Sequence, residues 1–312
     1  MVGAGEHGNR PERGAYACCG VRIDGYGPDA AVHALLDSQY GVARGVHLCN
    51  SYTLALAFRD ESYRHVLNAG DLNLADGHYV AMVGRWRGQA DLTERVYGPT
   101  LMLSTMDRGR EFGLRHYLYG TTDETLARLT AKLAELYPGL DIVGVEAPPF
   151  RRLNADEEDE LAARIEAAKP DILWVGVGTP RQDDFVAEYT ARLGCTLVPV
   201  GAAFDFNSGT KRSAPRWVQR MGIEWLFRLA MEPRRLWRRY LIGIPVFMFG
   251  VVTDLWRPRP KHVQLAVQPA VQPPASSQIP CQRRPADAEM PFADNGPAEF
   301  PGLSEQLCGE NP

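Results

Sequence analysis

The chain has 312 residues, 45% of them hydrophobic, and a formal net charge of −4. This length is enough to bury a full hydrophobic core, and so weak a net charge argues against a protein that binds polyanions with its whole surface. The six cysteines form neither a CxxC pair nor a cysteine–histidine cluster with zinc-ligand spacing. They therefore predict buried thiols in a reducing compartment rather than a metal site.

Composition divides the chain into four segments. Residues 1–18 are glycine-rich and polar, which predicts a flexible leader without the apolar core of a signal peptide. Residues 19–207 predict an α/β catalytic core, residues 208–256 form a basic, aromatic segment that we call the appendage, and the Pro-rich residues 257–312 predict a disordered tail. The apolar run 240–252 is shorter than the roughly 18 residues of a membrane span, so no transmembrane segment is expected.

Short apolar runs within the core predict buried strands, and helical periodicity fills the intervals between them. The predicted strands cover 46–50, 72–76, 116–120, 141–145, 172–177 and 196–202. A leucine-lined helix is predicted over 122–137, and another begins with a capping box at Asn154 and ends at Lys169. This alternation predicts an α/β, Rossmann-like fold with a mostly parallel sheet flanked by helices, followed by a basic helical appendage.

Small or polar residues follow five of the predicted strands. The turns that carry them are 50–53, 76–77, 119–122, 176–183 and 201–206. Because open parallel sheets bind ligands at the carboxyl ends of their strands, these turns predict a cleft large enough for a nucleotide.

Asp76 directly follows a predicted strand and precedes Gly77, which would let a ligand approach closely. A carboxylate in this place can act as a general base toward an acceptor hydroxyl. The alternative is an N-cap for the helix predicted to begin near His78, and the local pattern by itself favours that cap.

Gly176 and Gly178 resemble a phosphate-binding turn that leads into a helix at Pro180. The turn lacks the third glycine of the dinucleotide fingerprint and the residues of a Walker A loop, which disfavours an NAD-dependent oxidoreductase. Gln182 is either a contact to a base or sugar hydroxyl or an exposed residue of the first helical turn. Because no Asp-x-Asp pair follows a core strand, no metal cofactor is expected.

The appendage concentrates positive charge. Nine basic residues lie within 211–239 with only two glutamates, and aromatic residues are interleaved with them. An apolar run follows at 241–252, and this combination predicts a helix at a bilayer interface whose arginines grip a diphosphate headgroup. The apolar flank disfavours a nucleic-acid partner, and the remaining alternative is a basic helix packed on the core.

Together these segments resemble the WecG/TagA/CpsF glycosyltransferases over roughly residues 20 to 255. The resemblance is carried by Asn50 with Thr53-Leu-Ala, LNLADGHYVAMVGRWRG, ERVYGPTL, VGVGTPRQDDF and VGAAFDFNSGTKRSAPRWVQRMGIEWLFRLAMEPRRLWRRYL. It implies inverting transfer of N-acetylmannosamine or a related hexose from a UDP-sugar to a polyprenyl-diphosphate-linked acceptor in cell-surface polysaccharide synthesis. It also implies a peripheral position on the inner face of the cell membrane and no cofactor beyond the UDP-sugar co-substrate. The sequence leaves open whether the chain forms a homo-oligomer.

The resemblance makes Asp76 the catalytic base, which reverses the preference for a cap. Asn50 would line the acceptor or sugar site, Arg95 and Gln182 would contact the donor, and arginines of an appendage that closes over the site would bind diphosphate. The substrate-binding residues that we predict are Asn50, Thr53, Arg95, Gly120, Gly178, Gln182, Asp205, Arg228, Arg235 and Arg238.

The chain departs from the family pattern at Leu48, where relatives often have Thr, and at Thr100, where many have Asp. Asp183 and Asp184 replace the commoner Glu and Lys or Arg. These departures concern the donor sugar more than the reaction class. An alternative of another class is a non-catalytic nucleotide- or lipid-binding subunit of a polysaccharide assembly complex, which keeps the cleft without turnover.

Overall fold

The computed structural model of the chain describes residues 14–89, 94–149, 151–215, 217–218 and 221–256. The predicted tail and most of the predicted leader lie outside these residues. Arg216 and Arg220 of the appendage lie outside them as well.

The described residues begin with two consecutive strands, continue with strands separated by one or two helices, and end in consecutive helices. The strands are β1 (Ala15–Cys18), β2 (Val21–Asp24), β3 (Val46–Cys49), β4 (Leu72–Ala75), β5 (Arg115–Gly120), β6 (Asp141–Glu146), β7 (Ile172–Gly176) and β8 (Thr196–Pro199). The helices are α1 (Pro28–Leu36), α2 (Ser51–Arg59), α3 (Glu61–Ala69), α4 (His78–Trp86), α5 (Gly98–Gly109), α6 (Asp123–Leu136), α7 (Ala155–Ala168), α8 (Arg181–Leu193), α9 (Ala203–Asn207), α10 (Glu224–Met231), α11 (Pro233–Trp237) and α12 (Gly243–Trp256). Short 3-10 turns lie at Asp37–Tyr40 and Arg110–Phe112, and a π-helical segment lies at Arg238–Ile242.

The sheet is parallel, as the alternation of strands and helices predicts. Its strand order is β6-β5-β7-β8, and the parallel pair β3–β4 adjoins β8 through a bridge between Gly45 and Leu197. Every residue of β3, β4 and β8 is buried, as expected for parallel strands covered on both faces. The predicted α/β, Rossmann-like class is therefore confirmed.

An N-terminal hairpin was not predicted. β1 pairs antiparallel with β2, and Cys19 (φ 55°) and Gly20 (φ 75°) form the tight turn between them. The prediction of a flexible leader over 1–18 is therefore wrong for residues 15–18. The strand signal was present, because Tyr16 and Cys18 alternate with exposed neighbours, but it follows a glycine-rich stretch that dominated the composition.

The appendage packs on the core through its last helix. Phe247 and Val251 of α12 are buried in one cluster with side chains of the hairpin and α2, including Cys19 and Leu54. Asp254 Oδ2 also accepts a hydrogen bond from the Gly20 amide at 3.1 Å. Both ends of the described chain therefore meet at the hairpin.

One helical stretch, Pro233–Asp254, is long and apolar enough to cross a membrane, judged by length and composition. The sequence-based prediction of no such segment counted only the uninterrupted apolar run 240–252, whereas the helix extends back through Arg239 and Arg238. About a third of the stretch (33%) is buried inside the protein. Part of this helix is thus a structural element of the folded unit.

Candidate active site

A cleft opens at the carboxyl ends of β3 and β4 and is bordered by the appendage. It encloses about 680 Å³ of space, including the part open to solvent. The core contributes its polar floor and the appendage contributes basic and aromatic side chains. The lining residues are Asn50, Ser51, Tyr52, Asp76, Gly77, His78, Tyr79, Arg95, Tyr97, Gly222, Glu224, Trp225, Arg228, Arg239, Tyr240 and Ile244. We call this the Asp76 cleft.

Asp76 connects β4 to α4, and its carboxylate binds another helix. Its Oδ1 accepts a hydrogen bond from the Gly98 amide at 3.1 Å, and Gly98 begins α5, where such amides lack partners within the helix. α4 is capped by Gly77 without a side-chain hydrogen bond, so the alternative that Asp76 caps α4 is wrong. Within the described part of the chain, Oδ2 accepts no hydrogen bond, which leaves this oxygen for a ligand.

The surroundings of Asp76 favour its protonated form. Burial raises the pKa of this carboxyl group, and the nearby Glu224 carboxylate raises it further. Arg95, the Gly98 amide and Arg228 oppose the rise. A carboxylate whose pKa is raised accepts a proton more readily, which is what a general base near neutral pH requires.

An ion pair joins the core to the appendage inside this cleft. Arg95 Nη2 lies 2.6 Å from Glu224 Oε2, and both side chains are mostly buried, with exposed fractions of 18% and 10%. The Arg95 guanidinium also lies over the Tyr97 ring, 4.3 Å from its centroid, and the Tyr97 hydroxyl donates to Glu224 Oε1 at 3.4 Å. Glu224 was missed in the sequence, where it is one of two glutamates in a basic segment.

Two arginines of the appendage line the cleft. The Arg228 guanidinium lies over the Phe206 ring at 5.0 Å, and that of Arg239 lies over the Tyr52 ring at 4.7 Å. Arg239 Nε is buried and, among the described residues, has no hydrogen-bond partner. Burial lowers the pKa of Arg239, and the nearby charge of Arg228 lowers it further. Such a group is suited to bind an anionic ligand.

Arg235 and Arg238, which were predicted to bind diphosphate, do not line this cleft. Arg235 is 67% exposed and pairs with Glu232 at 2.7 Å, while the exposed Arg238 lies over the Trp237 ring at 5.2 Å. Arg239 was missed because the π-helical segment that begins at residue 238 adds about one residue per turn, which changes the face on which each side chain lies.

Asn50 and Thr53 have structural contacts at the start of α2. Asn50 Oδ1 accepts hydrogen bonds from the Tyr52 and Thr53 amides at 3.0 and 3.2 Å, so this side chain caps α2 while lining the cleft. The Asn50 amide nitrogen donates no hydrogen bond to the residues that the structure describes, which leaves it for a ligand. Thr53 is buried behind this cap and is not part of the cleft lining.

The predicted residues Gly120, Gly178, Gln182 and Asp205 lie apart from the cleft lining, around the carboxyl ends of β5, β7 and β8. We call this region the β5–β7–β8 edge. A Cβ on Gly120 would lie 2.6 Å from the backbone of Gly176, so the two strands require glycine here. Gly178 has φ 86° and open space around it. The edge therefore offers backbone groups to a ligand.

Gln182 lies in the first turn of α8 and is buried rather than exposed, so the alternative of an exposed first-turn residue is wrong. Its Oε1 would lie 3.2 Å from a Cβ on Gly201 and has no hydrogen-bond partner within the described residues. Asp205 accepts a hydrogen bond from Thr121 Oγ1 at 3.2 Å and pairs with Lys211 at 2.8 Å. Asp205 is thus held by two neighbouring side chains of the fold.

The Asp76 cleft and the β5–β7–β8 edge adjoin each other. Arg228 lines the cleft and lies over Phe206, the neighbour of Asp205 in α9. A Cβ on Gly98, the residue that binds Asp76, would lie 3.7 Å from the carbonyl oxygen of Val200, which follows β8. The two regions therefore lie next to each other in the fold.

The described cysteines Cys18, Cys19, Cys49 and Cys195 are buried free thiols, as predicted. Within the described ranges, no group of three or more histidine, cysteine or acidic side chains has an arrangement that could hold a metal ion. The expectation that the reaction needs no metal stays a prediction.

Comparison with known proteins agrees with the resemblance. A profile of the Glycosyl transferase WecG/TagA/CpsF family matches residues 16–261. A protein of Bacillus spizizenii is 29% identical over 214 residues, 68% of this chain and 77% of the relative. Relatives in Bacillus subtilis and Staphylococcus aureus are each 27% identical, over 199 residues (64% and 75%) and 193 residues (61% and 72%). All three are named N-acetylglucosaminyldiphosphoundecaprenol N-acetyl-beta-D-mannosaminyltransferase.

The profile match runs from β1 beyond α12 and so includes the cleft, the β5–β7–β8 edge and the appendage. The predictions of a UDP-sugar-dependent hexosyltransferase and of a role in cell-surface polysaccharide synthesis are confirmed, and the non-catalytic alternative is set aside. The chain belongs to the WecG/TagA/CpsF family of glycosyltransferases.

Proposed function

We propose that this glycosyltransferase moves N-acetylmannosamine from UDP-N-acetylmannosamine to N-acetylglucosamine on undecaprenyl diphosphate, with inversion at the anomeric carbon. The names of the relatives supply the transferred sugar and the acceptor. The observation that carries the proposal is the Asp76 carboxylate, which lines one cleft with three arginines, Arg95, Arg228 and Arg239.

In the proposed reaction Asp76 is the general base. Its Oδ2 takes the proton from the acceptor hydroxyl as that oxygen attacks the anomeric carbon of the donor. The bond between this carbon and the diphosphate oxygen breaks, and UDP leaves with the electron pair. Negative charge grows on the diphosphate in the transition state, and cations fixed nearby lower the barrier by stabilising it there.

The three cleft arginines are proposed to bind the departing diphosphate. Arg239 suits this role because its Nε is buried, without a hydrogen-bond partner in the described part of the chain. Arg228 suits it because this side chain reaches from the cleft to α9. The uridine would then occupy the β5–β7–β8 edge, close to the buried side chain of Gln182 and to the open backbone at Gly178.

We further propose that the appendage lies on the inner face of the cell membrane, where a lipid-linked acceptor is found. Several of its large apolar side chains are exposed beside the basic residues, as in helices that lie in a bilayer interface. They are Trp237, Leu241, Ile242, Met248, Phe249, Val252 and Trp256. Because Phe247 and Val251 are buried in the core, α12 is proposed to lie along the membrane rather than cross it.

The reaction is tested with purified full-length protein, UDP-N-acetylmannosamine and undecaprenyl-diphosphate N-acetylglucosamine in detergent. We expect UDP release that requires the acceptor, and a disaccharide product whose anomeric proton shows a β linkage by NMR. UDP-N-acetylglucosamine and UDP-glucose are the matched donors. Faster turnover with either of them would overturn the proposed donor, and an α product would overturn inversion.

Membrane docking is tested with vesicles that contain anionic lipid. Leu241→Ser with Trp256→Ser is expected to weaken vesicle binding about tenfold, because apolar area no longer enters the interface. Trp86→Ser, at another exposed tryptophan (63% exposed, against 86% for Trp256) that lies in α4, is the control and is expected to bind as the wild type does. Chain that stays with membranes after alkaline carbonate extraction would show that Pro233–Asp254 crosses them, against the peripheral proposal.

A further inference from the structure

The ion pair between Arg95 and Glu224 stands beside a second carboxylate, that of Asp76. Burial opposes the rise in the pKa of Arg95, but the negative charge of Glu224, followed by that of Asp76, raises it. The Arg95 guanidinium is fixed from two sides, by Glu224 Oε2 at 2.6 Å and by the Tyr97 ring at 4.3 Å. Asp76, in turn, takes its hydrogen bond from the Gly98 amide. Arg95 therefore forms its close ion pair with Glu224, whereas Asp76 is the proposed base.

Glu224 and Asp76 compete for the same cation, the Arg95 guanidinium. A carboxylate that forms a close ion pair with arginine loses basicity, because the pair favours its ionised form. If the Glu224 charge were absent, the Asp76 carboxylate would still attract Arg95. The two carboxylates come from different parts of the molecule, Asp76 from the core and Glu224 from the first residue of α10 in the appendage.

Other groups also act on Asp76 and must be held constant in a test. The titratable or charged side chains that face it from β3, the loop before α5, α10 and the π-helical segment are Cys49, Arg95, Tyr97, Glu224, Arg228 and Arg239. His78 of α4 lines the same cleft. Among these groups Glu224 is the anion contributed by the appendage.

We propose that Glu224 is a positioning residue that holds Arg95 against Tyr97 and away from the Asp76 carboxylate, so that docking of the appendage keeps the base free to accept a proton. This inference rests on the proposed role of Asp76 and adds a link between the appendage and catalysis. The appendage then supplies more than diphosphate-binding arginines, since a core without it would let Arg95 neutralise the base.

The test is the pH dependence of kcat/KM for full-length Glu224→Gln, because its acid limb reports the base of the free enzyme. We expect this limb to move to lower pH by about one unit, since a like charge beside Asp76 is removed and Arg95 becomes available to it. We also expect kcat at the plateau to fall about tenfold, because the base is weaker. Glu232→Gln is the matched control, since Glu232 is the other ion-paired glutamate of the appendage and does not line the cleft.

Glu224→Asp keeps the charge and is expected to keep the acid limb near its wild-type pH. A Glu224→Gln limb at the wild-type pH, in protein that unfolds at the wild-type temperature, would overturn the proposal. If Glu224→Gln does not fold, a Glu224→Asp limb displaced by a full unit would overturn it equally. Asp76→Asn distinguishes failure of the proposed base from failure of the proposed role of Glu224. Full activity of Asp76→Asn would contradict the assignment of Asp76 as the base. An inactive Asp76→Asn, together with a Glu224→Gln acid limb at the wild-type pH, would contradict only the role of Glu224.

Discussion

The Asp76 cleft and the core around Asp183 each contain a carboxylate near the strand pair β3–β4, but the two carboxylates differ in how many hydrogen bonds they accept. Asp183 is almost fully buried, and both of its oxygens are used: Oδ1 lies 3.0 Å from His47 Nδ1, and Oδ2 accepts from the Tyr63 hydroxyl at 2.7 Å. Asp76 binds one backbone amide through Oδ1, and within the described residues its Oδ2 accepts no hydrogen bond. We call His47, Tyr63 and Asp183 the Asp183 network.

This difference separates a carboxylate that stabilises the fold from one that can react. A buried charge is costly unless hydrogen bonds compensate it, and the Asp183 network supplies them from β3 and α3. Burial, followed by the charge of Asp183, raises the pKa of Tyr63, so its hydroxyl stays protonated and keeps donating. Asp76 has fewer partners and a raised pKa, which is unfavourable for folding at neutral pH but favourable for proton transfer.

The largest expected effect is on turnover. Asp76→Asn keeps the shape of the side chain and removes the base, so kcat should fall by about 10²- to 10⁴-fold. UDP release with saturating donor and acceptor measures it. Asp183→Asn is the matched control: it removes the other buried carboxylate, and kcat of the folded protein should fall less than about tenfold. Equal losses in the two variants would contradict the division of roles.

The next largest effect is on stability, where the order of the two variants is reversed: Asp183→Asn should be destabilised and Asp76→Asn should not. Asp183→Asn leaves His47 and Tyr63 without the charge that they bind, and should lower the free energy of unfolding by about 3 kcal/mol in urea titrations. The folded-state pKa of Asp76 is raised, so its contribution to stability is present below the unfolded-state pKa and lost as the pH rises through the folded-state pKa. Asp76→Asn should therefore unfold at the wild-type temperature or above it at pH 7. A Tm lowered as much as that of Asp183→Asn would count against this assignment.

The strands that position the site could be predicted because their signal is local. The apolar runs of β3, β4, β7 and β8 were found within a few residues of their observed ends, and the strand-end location of Asp76 followed from β4 alone. Whether Asp76 caps α4 could not be judged locally. Its carboxylate instead binds the amide of Gly98, which lies 22 positions further along the chain.

The parts of the cleft that were missed depend on tertiary contacts or on irregular geometry. Glu224 meets Arg95 across 129 positions of sequence, and in a basic segment a single glutamate gives no local sign of that contact. Arg239 lies at the start of the π-helical segment, whose extra residue per turn directs this side chain to the cleft. The residue pattern does not predict such an extra residue. The Asp183 network joins β3, α3 and α8 in the same non-local way.

The smallest expected effect compares two arginines of the appendage that are four residues apart. Arg239→Ala should lower kcat/KM by about tenfold, because a mostly buried guanidinium in the cleft is lost from the diphosphate. Arg235→Ala removes an exposed guanidinium that pairs with Glu232, and such surface pairs contribute little, so kcat/KM should change less than about twofold. Both are measured with detergent-solubilised acceptor, which removes any contribution from membrane attraction. The opposite result would be loss of activity in Arg235→Ala and unchanged activity in Arg239→Ala. It would mean that the appendage rotates about its helical axis when substrate binds, so that Arg235 rather than Arg239 contacts the diphosphate.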